Sequence, residues 1–283
     1  MYIDTITREL MERDVAAYLD VPAEELIQYI DYAANKAKED RWSFNTDLFN
    51  SELDAIFFDL QPENSIDKIL VYHLARRLPY IQDSCDGDNL QHLLTSENAL
   101  TQFLAEHRVN FSTRQNHPIL IYKGKEVSLE DTSDTDVCYL RSRFGFNFGR
   151  EDYCFNGFVL RDLLMKNSYA RELYYGPEFL TVLSRFLGNK SIQEDYFSQS
   201  RYFCFTYLVP FDMVIFDGHD ELKGSMKENH FLHQVCYRLL SYLDTRPEYL
   251  YDHDNPIVRF DDDAMVPAKY LIKKEEIFLE MLQ

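Results

Sequence analysis

The spacing of apolar residues divides the chain into a helical beginning and a mixed remainder. Asp20-Val21-Pro22-Ala23-Glu24-Glu25 places a proline and two carboxylates where a helix N-terminus favours them. Leu26, Ile27, Ile30, Ala33 and Ala34 then recur at helical spacing, and a further helix from Asp47 to Leu60 groups Leu48, Leu53, Ile56 and Phe57. Pro62 to Ser65 interrupts this pattern. Ile66 to Leu78 (IDKILVYHLARRL) fits a buried strand or a helix, and a strand at Ile69 to Leu74 is favoured. Asn89 to Ala105 reads as helix with a break near Ser96.

Farther on, Lys123-Gly124-Lys125 separates Ile119–Tyr122 from Glu126–Leu129, which is a hairpin signal. A short strand is expected at Val137 to Leu140, and helices at Phe158 to Lys166, Pro177 to Leu187 and Gln193 to Phe197. Tyr202 to Val209 (YFCFTYLV) has the composition of a central strand. Further strands are expected at Asp212 to Phe216, Ile257 to Phe260 and Lys269 to Ile272, with a helix at the end. Glu228 to Leu243 is the clearest amphipathic helix, carrying Phe231, Leu232, Val235, Cys236, Leu239, Leu240 and Leu243 on one face. Strands and helices do not alternate strictly. The fold class expected is therefore α+β, with a helical N-terminal region (1–62) followed by a main domain (63–283) of mixed, largely antiparallel sheet and surrounding helices.

Charge narrows the function classes. The 283 residues carry 48 Asp and Glu against 29 Lys and Arg, a formal charge of -19, which excludes a broad phosphate-tracking surface for nucleic acid. The 20 tyrosines and 21 phenylalanines imply a core rich in aromatics. Five scattered cysteines without C-x-x-C spacing imply no disulfide framework and no zinc knuckle. Cys138, Cys154 and Cys204 read as small buried residues of a reducing compartment. With no leader pattern and no run approaching membrane-spanning length, a cytoplasmic protein without membrane contact is expected.

The chemistry concentrates in two places. Tyr139 to Leu164 holds three of the nine glycines (Gly145, Gly149, Gly157) and four arginines, Arg141, Arg143, Arg150 and Arg161. Guanidinium groups match phosphate or carboxylate through paired hydrogen bonds, and glycine lets backbone approach an anion. Gly145-x-x-x-Gly149 lacks the lysine and the strand–turn–helix setting of the standard phosphate loops. The arginines either hold an anion or pair with Glu151, Asp152 and Asp162. The second place is His73, in an apolar run followed by Arg76 and Arg77. It is either a satisfied core histidine or a hydrogen-bonding group at a ligand pocket. His230 and His233 fall opposite and beside the apolar face of their helix, so they read as surface residues, and no metal site is expected.

Val71-Tyr72-His73 and Asn89-Leu90-Gln91-His92-Leu93-Leu94 resemble the first motif of bacterial ADP-ribosyltransferase toxins and the helix that follows it. The resemblance implies a split α+β fold, NAD as ligand, and His73 as the residue that orients it, with Arg76 and Arg77 as neighbours. Arg141, Arg143 and Arg150 would hold its phosphates. The family also needs a glutamate near a late strand, for which Glu178, Glu221 and Glu275 are all open. The leading expectation is a nucleotide-binding, NAD-dependent ADP-ribosyltransferase-like protein of a bacterial or phage toxin or defence type. The alternative is a non-enzymatic acidic inhibitor or immunity factor that binds a basic protein partner. It rests on the 14 acids against 5 bases before Pro62, and the 12 against 5 between Phe211 and Asp263.

Overall fold

Short polar side chains open several of the helices, satisfying amides that a first turn leaves free. The computed structural model describes residues 1–40, 43–79, 83–146 and 152–282. Thr7 accepts from the Leu10 N–H ahead of α1 (Arg8–Leu19), Pro22 precedes α2 (Ala23–Ala37), and Asn45 accepts from the Leu48 N–H ahead of α3 (Thr46–Leu60). Then come β1 (Lys68–Arg77) and two helices capped by Asn89 and Asn98, α4 (Leu90–Thr95) and α5 (Ala99–Glu106). A three-stranded antiparallel sheet follows, of β2 (Val109–Arg114), β3 (His117–Tyr122) and β4 (Lys125–Glu126). Next are α6 (Thr135–Arg143), β5 (Asn156–Phe158), α7 (Ser168–Tyr174), α8 (Glu178–Phe186) and α9 (Ser191–Gln199). The chain closes with β6 (Arg201–Pro210), β7 (Ile215–Phe216), α10 (Gly224–Asp244), β8 (Ile257–Arg259) and β9 (Leu271–Glu276).

The fold is α+β. Its larger sheet has the order β7-β8-β5-β1-β6-β9, and the β1·β5 and β6·β9 pairs are antiparallel. The expected hairpin is present between β3 and β4, where Lys123 (φ 52°) and Gly124 (φ 78°) both take the left-handed backbone of a tight two-residue turn. Gln115 and Asn116 do the same between β2 and β3.

Several expectations are corrected. Val137 to Leu140 is helical, inside α6, because Asp134 caps the turn through the Asp136 N–H and Val137 and Leu140 are both buried at a spacing of three. Phe158 to Lys166 is not an α-helix: Phe158 ends β5 and a 3₁₀ turn occupies Leu164–Lys166. The helix expected at the end is one 3₁₀ turn, Leu279–Met281. Cys138 is exposed, while Cys154, Cys204 and Cys236 are buried. His233 is buried rather than exposed, and its Nε2 lies 2.9 Å from the Asp54 carboxylate. His230 packs its ring against His219 and Phe216, and burial, with His219 and His233 adding to it, pushes its pKa down to about 4.

The chain divides into two compact units. The first comprises Met1–Tyr72, Phe158–Asn167 and Leu208–Val258, so the N-terminal helices share a unit with two later segments. There α1, α2, α3 and α10 pack together, burying among others Met11, Ile30, Phe49, Leu53, Phe231 and Leu239. Arg238 is buried between Asp162 and Asp252, and Tyr242, Asn167 and Asn255 donate to the same two carboxylates. The second unit comprises His73–Gly157, Ser168–Tyr207 and Arg259–Gln283. Its main apolar cluster includes Leu94, Phe103, Leu120, Leu140, Phe144 and Leu183. Charge is unequal between the two: the first unit holds 26 acidic and 12 basic residues, a formal -14, and the second 22 and 17, a formal -5. Among the described residues no helix is long and apolar enough to cross a membrane.

Candidate functional site

The period of two along β1 sends alternate side chains to opposite faces of the sheet. Leu74, Arg76 and Leu78 are buried on one face, whereas His73, Ala75 and Arg77 keep part of their surface open on the other. The β6·β9 register extends that second face, because Phe203 lies opposite Glu276 and Phe205 opposite Lys274. His73 and Arg77 both approach the Phe205 ring, at 6.4 and 4.8 Å from its centroid, and Lys274 lies 5.1 Å from it. These residues belong to the second unit.

His73 is held in one chemical form. Its Nδ1 lies 2.8 Å from the Asn156 carbonyl oxygen, and its ring packs on Phe155 with centroids 4.3 Å apart. A carbonyl oxygen only accepts, so Nδ1 carries the proton and Nε2 is left as an acceptor. Burial, with the Arg77 cation adding to it, pushes the imidazole pKa down to about 3. The ring is therefore neutral at ordinary pH.

Two cations share one carboxylate beside it. Lys274 Nζ donates to Asp83 at 2.7 Å, and Arg77 Nε lies 3.6 Å from the same carboxylate. Burial pulls the Asp83 pKa up, but the Lys274 hydrogen bond, the Arg77 charge and the Cys85 N–H outweigh it, leaving the group below its ordinary value. Burial, then the Asp83 charge, raise the Cys85 thiol, so it is a poor nucleophile. Tyr207 donates its hydroxyl to the Cys85 carbonyl, whose residue has φ 60°. Gly87 pairs with Val266 through both backbone groups and lies flat on Phe155, where a Cβ would come within 2.7 Å of the ring.

The other residues chosen from the sequence are placed differently. Arg76, on the opposite face, donates to the Ser200 hydroxyl and to the carbonyl oxygens of Tyr174, Phe197 and Ser200, with its guanidinium over the Phe197 ring. Those donors tie down the ends of α7 and α9. Arg141 donates to the Leu129 carbonyl and lies over Phe146. Arg143 pairs with Asp152 at 2.9 Å, while its Nε is buried and meets no acceptor among the described residues. Near it, burial raises both Tyr139 and Tyr169, and Glu178, one of the open glutamates, hydrogen-bonds Tyr139. Arg150 lies outside the described residues. His73 and Arg77 thus share one face, and none of their contacts among the described residues involves Arg141 or Arg143.

Sequence reasoning missed Asp83, Lys274, Phe205 and Glu276. For Phe205, Lys274 and Glu276 the signal lay in the alternation of YFCFTYLV and LIKKEE, which assigns sides only once the register is known; Asp83 carried no comparable signal. A cavity of about 350 Å³ lies elsewhere in the second unit, lined by Glu106, His107, Arg108, Tyr122, Lys123 and Asn189, none of them chosen from the sequence. Among the described residues no group of three or more His, Cys, Asp or Glu side chains could hold a metal ion. No family model, curated protein or solved structure matches this chain.

Proposed function

We propose that the His73 face binds a nucleotide-like anion and that the protein acts as a NAD-dependent ADP-ribosyltransferase. The observation that carries this reading is the fixed tautomer of His73, a neutral ring with Nε2 as acceptor beside two cations. Nε2 would accept from a ribose hydroxyl. Arg77 and Lys274 would take the pyrophosphate in exchange for Asp83, and the aromatic face of β6 would offer apolar surface to the bases.

The transfer would break the bond between C1′ of the ribose and the nicotinamide nitrogen, which leaves with the electron pair and so becomes neutral. An acceptor oxygen or nitrogen would form the new bond to C1′ and give up its proton to a carboxylate. Glu276 is the glutamate of β9 that the register puts on the His73 face, whereas Glu275, opposite Cys204, projects to the other. Glu276 now pairs with Arg201 at 3.5 Å. We assign it the carboxylate role that the resemblance requires.

The test is thermal melting and calorimetry with millimolar NAD, alongside nicotinamide release. A rise in melting temperature that His73→Ala and Arg77→Gln both remove supports the reading. No shift at millimolar NAD in the wild type would count decisively against it.

A further inference from the structure

The first unit carries a helix face that no described element covers. In α3 the buried residues Phe49, Leu53 and Phe57 line one side. At about 100° per residue, Leu48, Ser51, Ala55 and Phe58 fall on the opposite side, and all four are exposed. Phe58 keeps 74% of its surface open and Leu48 36%. These two apolar anchors lie about 15 Å apart along the axis, three turns of helix.

Carboxylates border this stripe on both flanks. Glu52 and Asp59 run along one edge, Asp47 and Asp54 along the other. Asp54 also accepts from Asn229 and pairs with His233, yet remains 47% exposed. Exposure of one phenylalanine alone would mean nothing; what singles out this face is that its two apolar anchors stand between two acidic rails, which sets the chemistry of an occupant. A second copy of this chain would bring the same carboxylates against these and be repelled. A lysine-rich or arginine-rich amphipathic helix matches both features, with its apolar side on Leu48 and Phe58 and its cations against the rails.

We infer that the outer face of α3 docks a basic amphipathic helix of a partner protein. This surface is independent of the nucleotide reading and survives its failure. The probe is a fluorescent synthetic helix with leucines on one face and lysines on its flanks, compared by anisotropy with a peptide of the same composition in scrambled order. The ordered peptide binds at low salt, and the scrambled one at least about tenfold more weakly. Phe58→Asp and Leu48→Asp each weaken the ordered peptide at least about tenfold without lowering the melting temperature, and Asp47→Asn with Asp59→Asn flattens the salt dependence. Equal binding of the two peptides, no binding, or an affinity unmoved by Phe58→Asp overturns the inference. So does a wild-type dimer, by sedimentation, that Phe58→Asp dissociates, since the occupant is then a second copy.

Discussion

His73 donates its Nδ1–H to the carbonyl oxygen of Asn156, and the bond decides which edge of the imidazole remains free for chemistry. It also ties the ring to acid stability. The folded pKa of about 3 lies below the ordinary 6.5, so the unfolded chain takes up this proton first as pH falls. The stabilisation is complete above pH 6.5 and drains away between there and 3, at up to about 1.4 kcal/mol per pH unit. His73→Gln, whose amide donates to the same carbonyl, should lose less stability than wild type between pH 7 and 5. Urea midpoints at the two pH values measure this directly.

Arg77 and Lys274 both face Asp83, and removing one leaves the other to neutralise it. Because all three side chains are partly open, Arg77→Gln or Lys274→Gln should cost less than about 1 kcal/mol of stability. On the proposed function, each should weaken NAD binding about tenfold by calorimetry. Asp83→Asn, which frees both cations, should strengthen it.

Arg76 has the opposite signature. Arg76→Met leaves the buried Ser200 carbonyl and the part-buried Phe197 carbonyl without their donor and should cost about 3 kcal/mol in denaturant unfolding. Ligand affinity of the folded protein should not change. Equal affinity at lower stability separates this guanidinium from Arg77, its neighbour in sequence.

Gly87→Ala should destabilise by about 1–3 kcal/mol, because the added methyl meets the Phe155 ring at 2.7 Å and that ring is pinned against His73. Thermal melting of the purified variant checks it. A neutral result would mean that residues 83–88 can lift from the sheet without disturbing His73.

Local pattern carried much of the fold. Helices α2 and α10 each have an apolar face set by their own spacing, and Lys123-Gly124 needed only the two residues of its turn. In α3 the expected grouping is half right: Leu53 and Phe57 are buried beside Phe49, while Leu48 falls on the exposed side. The break in the helix after Asn89 was also legible, because Asn98 restarts the helix as a cap. Elsewhere local signals conflicted. Val137-Cys138-Tyr139-Leu140 is β-rich in composition, yet Asp134 and the burial of Val137 and Leu140 make it helix. Gln115-Asn116 turns the chain without the glycine that usually announces such a turn. The candidate site was half legible. His73 and Arg77 stood out for residue type, and Asp83 lies only six residues beyond Arg77, but the chain between them gives no sign that they pair. Lys274 and Glu276 join that face only through the pairing of β6 with β9, a long-range register no short window contains.

Arg76 and Arg77 differ by one position and by a half-turn of the strand. Adding or deleting a single residue between Lys68 and His73 would exchange their faces, carrying the clamp of α7 and α9 onto the His73 face and Arg77 into the buried layer. This stretch should therefore tolerate changes of apolar side chain far better than changes of length. Its constraint is one of counting, which an indel scan across Lys68 to Tyr72 would expose more sharply than any set of point substitutions.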